Sequence, residues 1–408
     1  ITGTITLNTT SNGSSGIIFG TTASTFAGAL TANAGNGVQL AVGLTINGLG
    51  TFNTDTDNNG TGAFTIVNSS TLTSNNNNVD VTGAGFALGG SGDFLNAGTA
   101  DVTLATTNGR SIGLGATSTD TQITGTNLQN ITAANLTIGD STIGNITVDG
   151  ISLANSANIS TTLTLITGGN VVFSTGASAI TNNFAVTATG DITQSVSLDV
   201  GGTSSFTVTG TNVATLTNAS NDFTGAVTLS SGTGAVQLTN STATILAAST
   251  LGGDLTVTSS GAMTQTGALS VTGTSDFTVS GSNAMTLTNT SNDFTGAVTL
   301  ASGTGAVQLT DSTSTILAAS TMGGAFTVTS GGDITQTGAL AVTGTSSLTV
   351  DGSSVATLTN SSNDFTGALT LSSGTGLVQV TDTNSMTLAA STLGGALTLS
   401  AVSGLFVT

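Results

Sequence analysis

Few side chains in this 408-residue chain could do chemistry, and the densest group of them is Asp55, Asp57 and Asn59 in "DTDNNG", Asp55 to Gly60. Carboxylates at alternate positions can converge on a hard cation while glycine allows a sharp bend, as at the start of a D-x-D-x-N-G calcium loop. Ile66 stands at the twelfth position, where such a loop carries a bidentate Glu. Asp55, Asp57 and Asn59 are therefore a Ca²⁺ candidate, and the competing reading is an Asx-rich turn.

Other site chemistry is restricted by what is missing. There is no Pro, Cys, His, Trp, Tyr, Glu or Lys, and the only base is Arg110 in "TNGRSIG". A Ser nucleophile would lack its His or Lys base, and a carboxylate pair would have only Asp to draw on. Thiolate and imidazole metal sites are excluded. The expectation is a protein that is not an enzyme and needs no cofactor, calcium aside.

All 19 acidic residues are Asp, and the formal charge is −18 with a pI near 4.1. Such a surface repels phosphate backbones and anionic headgroups, so no nucleic-acid partner is expected. No run of eighteen apolar residues offers a membrane helix, and a membrane barrel would need aromatic girdles that 15 Phe without Trp or Tyr do not supply. Charged residues are only 5% of the chain, whereas Thr supplies 88 and Gly 57, so the polar face is hydroxyl and amide. Any targeting signal is expected outside the sequence, which opens at Ile1.

The elements that must carry these residues are strands. "LTVTS" from Leu255, "LSVTG" from Leu269, "FTVSG" from Phe277 and "AVQLTD" from Ala306 alternate apolar and small polar residues with period two. β-branched residues suit that geometry, and Gly, Ser, Asn and Asp supply the turns between strands. Mean hydropathy of +0.35 separates the chain from disordered low-complexity sequence. Proline cannot donate to a ladder, so its absence fits strands paired on both edges.

A longer period organises the strands. "SNDFTG" opens at Ser220, Ser291 and Ser362, a spacing of 71 residues. "STLGG" at Ser249 returns as "STMGG" at Ser320 and "STLGG" at Ser391, and "GDITQ" at Gly190 as "GAMTQ" at Gly261 and "GDITQ" at Gly332. Repeats are placed at 178–248, 249–319 and 320–390, with 391–408 beginning a fourth. Residues 1–177 read as degenerate coils of one continuous solenoid. Apolar residues exchange only for apolar ones at Phe206/Phe277/Leu348, Val227/Val298/Leu369 and Leu255/Phe326/Leu397, which places them inside.

The short strands of one repeat group into about three coils, too small and too poor in aromatics for a sandwich. Stacked coils predict an all-β parallel β-helix, with about seventeen coils at about 4.8 Å each. On that count the three hexapeptides lie about 14 Å apart on one side. They are expected to be structural corners. Asn221 and Asp222 would bond turn amides, Phe223 would enter the core and Gly225 would permit the bend. Asn292, Asp293, Phe294 and Gly296 repeat that corner, as do Asn363, Asp364, Phe365 and Gly367.

"LTIGDSTIGNITVDGISL", "GNVVFSTGASAI", "GDITQTGALAVTGTSSLTV" and "SNDFTGAVTL" resemble the repeats of the filamentous haemagglutinin family of large bacterial exoproteins. The resemblance implies a right-handed β-helical shaft of an adhesin at the bacterial surface, exported through an outer-membrane partner. The family's amino-terminal secretion domain, with its Asn-Pro motif, has no counterpart here.

The functional expectation is a non-catalytic extracellular rod, structural or adhesive, meeting a host or neighbouring cell surface through many weak contacts. The rival is a fibre subunit whose end coils, without polar caps at Ile1 and "SGLFVT", stack on further copies. A more distant alternative is an ice-binding β-helix with regular Thr ladders, although here Thr alternates with Ser, Ala, Gln and Asn. Sequons such as "NTT" at Asn8, "NIT" at Asn130 and "NAS" at Asn218 occur at the rate this composition produces and carry no expectation.

Overall fold

Alternation in sequence becomes alternation in burial. Leu255–Ser259, "LTVTS", buries Leu255, Val257 and Ser259 and turns Thr256 and Thr258 outward. The computed structural model describes residues 3–9, 15–67, 69–89 and 94–408. The uncapped coil expected at Ile1 lies outside those residues, as does Thr10 of the Asn8 sequon. Nearly every described element is a strand, and the ladders of both units are parallel. The fold is a β-solenoid. The chain forms two compact units, Ile1–Val208 and Thr209–Thr408.

In the first unit one ladder runs from Ile5–Asn8 through Leu30–Asn33, Gly50–Asn53 and Val79–Gly83 to Val102–Thr106. A second joins Ile17–Phe19, Val38–Leu40, Ala63–Ile66 and Gly85–Leu88, and a third Ser24–Phe26, Leu44–Ile46, Leu72–Thr73 and Leu95–Asn96. Each coil thus has three strands. Coil lengths vary because loops are inserted between strands, including Thr54–Gly62 and two short helices, Gly125–Gln129 and Leu153–Ser156. The first helix carries a capping box in which Thr124 Oγ1 accepts from Asn127 N at 3.1 Å.

The second unit is more regular, with its strands shared between two parallel ladders. From Val298 the chain crosses between two sheets, one after the other. Val298–Ser302 lies on the first and Val307–Asp311 on the second. Thr315–Leu317 with Ser320–Met322 returns to the first, and Phe326–Ser330 to the second. Ile334–Gln336 with Leu340–Val342, Ser346–Val350, and Ala356–Leu358 with Asp364–Phe365 continue the alternation. Leu369–Ser373, the counterpart of Val298–Ser302, then falls on the second sheet.

One repeat is therefore seven half-turns, or three and a half coils. The expected count of about three is right to within half a coil, and the half decides which side a residue faces. Leu369 stands above Ser346, Phe326, Val307 and Met285, whereas Val298 stands above Ser275, Leu255 and Val236. Consecutive repeats face opposite ways.

The seven half-turns from Val298 are four straight and three divided strands. Val298 pairs with Leu317, but Ala301 and Ser302 pair with Thr321 and Met322, so the upper side holds one extra residue. There Ser320 Oγ accepts from Leu300 N at 3.0 Å and donates to Ala318 O at 2.9 Å, filling the gap in the ladder. Ser249 does the same for Leu229 and Ala247, and Ser391 for Leu371 and Ala389. The recurring "ST(L/M)GG" is this division point.

The core follows the internal comparison. Phe206, Phe277, Leu348, Val227, Val298, Leu369, Leu255 and Phe326 are all buried, and only Leu397, on the last coils, is half-buried. Phe277 and Phe294 meet edge to face with ring centres 5.8 Å apart.

Candidate functional site

The loop Thr54–Gly62 carries the calcium candidate. Asp55 is buried, with Oδ1 accepting from Asn59 N at 3.1 Å and Oδ2 from Gly60 N at 3.2 Å and Thr107 Oγ1 at 2.5 Å. Asp57 is exposed and its Oδ2 accepts from Asn59 Nδ2 at 2.8 Å, while Asn59 Oδ1 accepts from Thr61 N at 2.8 Å. Asn58 at φ 50° and Gly60 at φ 79° close the loop. The sequence brings these three residues together, and their oxygens serve donors of the turn and, at Asp55, the Thr107 hydroxyl as well. Among the described residues no cluster of three carboxylates could hold a metal ion.

Arg110 reaches over the same loop. Its Nη2 donates to Asp120 O at 2.8 Å and its Nη1 to Gly60 O at 3.4 Å, while Ser111 N donates to Asp120 Oδ2 at 2.9 Å. The only cation of the chain is thus a tie between two loops. It borders a shallow cleft of about 300 Å³ that Asp120 also lines.

The hexapeptide corners are built on their asparagines. Asn292 is fully buried; its Nδ2 donates to Leu287 O at 3.3 Å and Thr310 O at 3.1 Å, and its Oδ1 accepts from Leu269 N at 2.9 Å. Asn363 does the same with Leu358 O and Leu340 N, and Asn221 Nδ2 donates to Leu216 O and Thr239 O. The aspartates lie further out and accept hydroxyls: Asp222 from Thr242 at 2.8 Å, Asp293 from Thr313 at 3.0 Å and Asp364 from Thr366 at 3.2 Å. Phe223, Phe294 and Phe365 are fully buried.

Glycine at the corner answers to the coil beneath. A Cβ on Gly296 would lie 2.2 Å from Gly273 O, and one on Gly367 2.3 Å from Gly344 O, so only glycine lets the backbones approach. The three corners do not line one side. Asp293–Phe294 pairs with Leu269–Val271 on one sheet and Asp364–Phe365 with Leu340–Val342 on the other. The 14 Å spacing becomes about 17 Å of rise together with a half-turn.

Sequence reasoning missed two partners of these corners. Gln265 and Gln336, the last residues of "GAMTQ" and "GDITQ", meet Asn292 and Asn363 through their carboxamides. Asn240, Asp311 and Asp382 sit buried at the end of a strand, and their side chains meet the Phe223, Phe294 and Phe365 amides. Strict recurrence at 71 residues was the available signal for the glutamines.

The outward ladders are mixed in type. Gln237, Thr256, Asp276 and Thr299 stand in lateral register, as do Gln308, Thr327, Ser347 and Thr370. Other outward rows hold three threonines in succession, Thr239, Thr258 and Thr278 or Thr310, Thr329 and Thr349, and end at Ala301 and Ser372.

No curated protein and no solved structure matches the chain. Residues 160–230, 233–301 and 304–372 each match a family described as repeats of unknown function. The breaks between matches fall at Ser231–Gly232 and Ser302–Gly303, between two successive straight strands, where the chain passes from one repeat's orientation to the next. With more than half of its residues matched in three consecutive copies, the chain belongs to the family of repeats of unknown function, DUF5649.

Proposed function

We propose that this β-solenoid is a section of a non-catalytic shaft, structural or adhesive, working outside a bacterial cell. The observation that carries the reading is the use to which polar side chains are put. Asn292, Ser320, Gln265 and Asp55 are each occupied in closing the backbone of their own or the next coil. An object built by such repetition supplies length and many equivalent surfaces rather than one reaction centre. The resemblance to filamentous haemagglutinin repeats supports placing it at the cell surface, where a host or neighbouring cell is the partner.

Electron microscopy of the purified chain together with binding of protein-coated beads to cells tests the reading. Uniform rods and bead adhesion are expected. Globular particles, or rods whose beads bind no better than uncoated ones under any condition, would overturn the structural and the adhesive part respectively.

A fibre subunit is the second reading. It is favoured by the parallel ladders themselves, which stacking of a second copy would continue coil on coil. Long filaments with a regular axial repeat in the same images would select it over isolated shafts.

A further inference from the structure

One buried position changes chemistry between repeats while its surroundings stay the same. Asn240, Asp311 and Asp382 close equivalent strands, Val236–Asn240, Val307–Asp311 and Val378–Asp382, and each is at most 1% exposed. Asn240 Oδ1 accepts from Phe223 N at 3.0 Å, and its Nδ2 donates to the carbonyls of Phe223 at 3.3 Å and Ala243 at 2.9 Å. In the next repeat Asp311 Oδ1 accepts from Phe294 N at 3.3 Å and from Thr313 N and Oγ1 at 3.2 Å, and its Oδ2 accepts from Thr315 Oγ1 at 3.3 Å, an oxygen position that a protonated acid fills while still donating its own hydrogen. A carboxylate there has no hydrogen to offer the two carbonyls that the amide of Asn240 serves. In the third repeat Asp382 Oδ2 is buried without any partner.

We infer that Asp311 and Asp382 fold as neutral carboxylic acids, the acid O–H standing where Asn240 places its amide, so that acid tightens these two repeats and rising pH loosens them. The inference goes beyond the shaft reading and stands on the comparison of the three copies.

The electrostatic surroundings agree. Burial is the largest influence on both groups and raises them from the usual 3.8, opposed by hydrogen bonds from Thr313 and Phe294 at Asp311 and from Asn384 and Phe365 at Asp382. Ser312 N donates to Asn292 O and Thr383 N to Asn363 O, which brings the next residues, Asp293 and Asp364, close to Asp311 and Asp382, and the negative charge of Asp364 raises Asp382 further. The strands above, Phe326–Ser330 and Leu397–Ala401, bring no titratable group, and Asp333 follows the first of them. No base occurs in residues 209–408, so no cation can hold either carboxyl ionised.

The direction follows from linkage. Below about 3.8 folded and unfolded chains both carry the protons, and the full stability is present. As pH rises the unfolded chain ionises first, and stability falls until the folded carboxyls ionise as well.

Thermal unfolding of the full chain from about pH 3 to about pH 8 tests this with Asp311→Asn/Asp382→Asn and, conversely, Asn240→Asp. Equal melting temperatures at about pH 3, and a higher one for the double Asn variant at about pH 7, are expected. Asn240→Asp should reverse the sign, matching wild type in acid and melting lower at neutral pH. Because Asn is native at 240, the double variant carries a side chain the site already accommodates. Parallel curves for all three proteins, or a double variant that melts below wild type at neutral pH, would overturn the inference.

Discussion

Gln265 and Asn292, 27 residues apart in sequence, are joined carboxamide to carboxamide: Gln265 Nε2 donates to Asn292 Oδ1 at 2.8 Å, and Asn292 Nδ2 donates to Gln265 Oε1 at 3.0 Å. Gln336 and Asn363 repeat the pair at 2.8 and 2.9 Å. Each Asn has further bonds to main chain from neighbouring coils, so its loss strands several buried groups together. Asn292→Ala should cost about 3 kcal/mol in urea unfolding, whereas Asp293→Ala, which gives up one exposed hydroxyl contact, should cost about 0.5 kcal/mol. Similar costs for the two would remove the Asn as keystone of the corner.

At the division point the test is local. Ser320→Ala leaves Leu300 N–H facing no acceptor, a loss of about 1–3 kcal/mol. Hydrogen exchange should quicken at Leu300 while Leu309, whose strand lies on the other sheet, stays protected. Unchanged exchange at Leu300 would mean the hydroxyl is dispensable there.

Register between repeats can be measured with spin labels on the outward-facing Thr228, Thr299 and Thr370. Seven coils separate the first from the last, so their backbones should lie about 34 Å apart at strand spacing. The Thr228 to Thr299 distance should equal the Thr299 to Thr370 distance and exceed half of the full span, because each crosses the solenoid. A distance close to half of it would restore the three-coil count.

Two glycine substitutions separate crowding from backbone strain. A Cβ on Gly305 would lie 1.8 Å from Asn283 O, a backbone atom that cannot yield, and Gly305→Ala should prevent the local coils from stacking. Gly281 has open space around it and a φ of 63°, so Gly281→Ala should cost only about 1 kcal/mol by thermal melting. Equal effects would count against close approach as the reason for glycine at the corners.

For the Asp55 loop, calorimetric titration with millimolar calcium should be silent, since the Asp55 oxygens already accept from Asn59 N, Gly60 N and Thr107 Oγ1. Asp55→Ala should nevertheless lower the melting temperature of the chain, because three donors lose their acceptor. Heat on calcium addition that disappears in Asp55→Ala would reinstate the metal reading.

The solenoid was legible because its physics is periodic. Alternation in "LTVTS" and "AVQLTD" marks faces, and comparison of copies placed Phe277 and Leu255 inside, where they are buried. The half-coil was not legible, since residues 71 apart look alike whether they share a side or face apart. Only the pairing of Leu369 with Ser346 rather than with the column of Val298 decides it. At the corner Asn221 and Asp222 were expected to share one task, but they divide it: Asn221 is buried and ties the strands, whereas Asp222 accepts the Thr242 hydroxyl. Gln265 was unreadable as a partner, because its contact depends on how many residues complete a turn.

A seven-half-turn unit acts within Thr209–Thr408 as a two-fold screw operation. The extra residue that divides a strand makes that side of its coil longer than the other. In the following repeat the longer side is the opposite one, so over two repeats, 142 residues, both sides carry the same share of divided strands, which a repeat of three whole coils would not give.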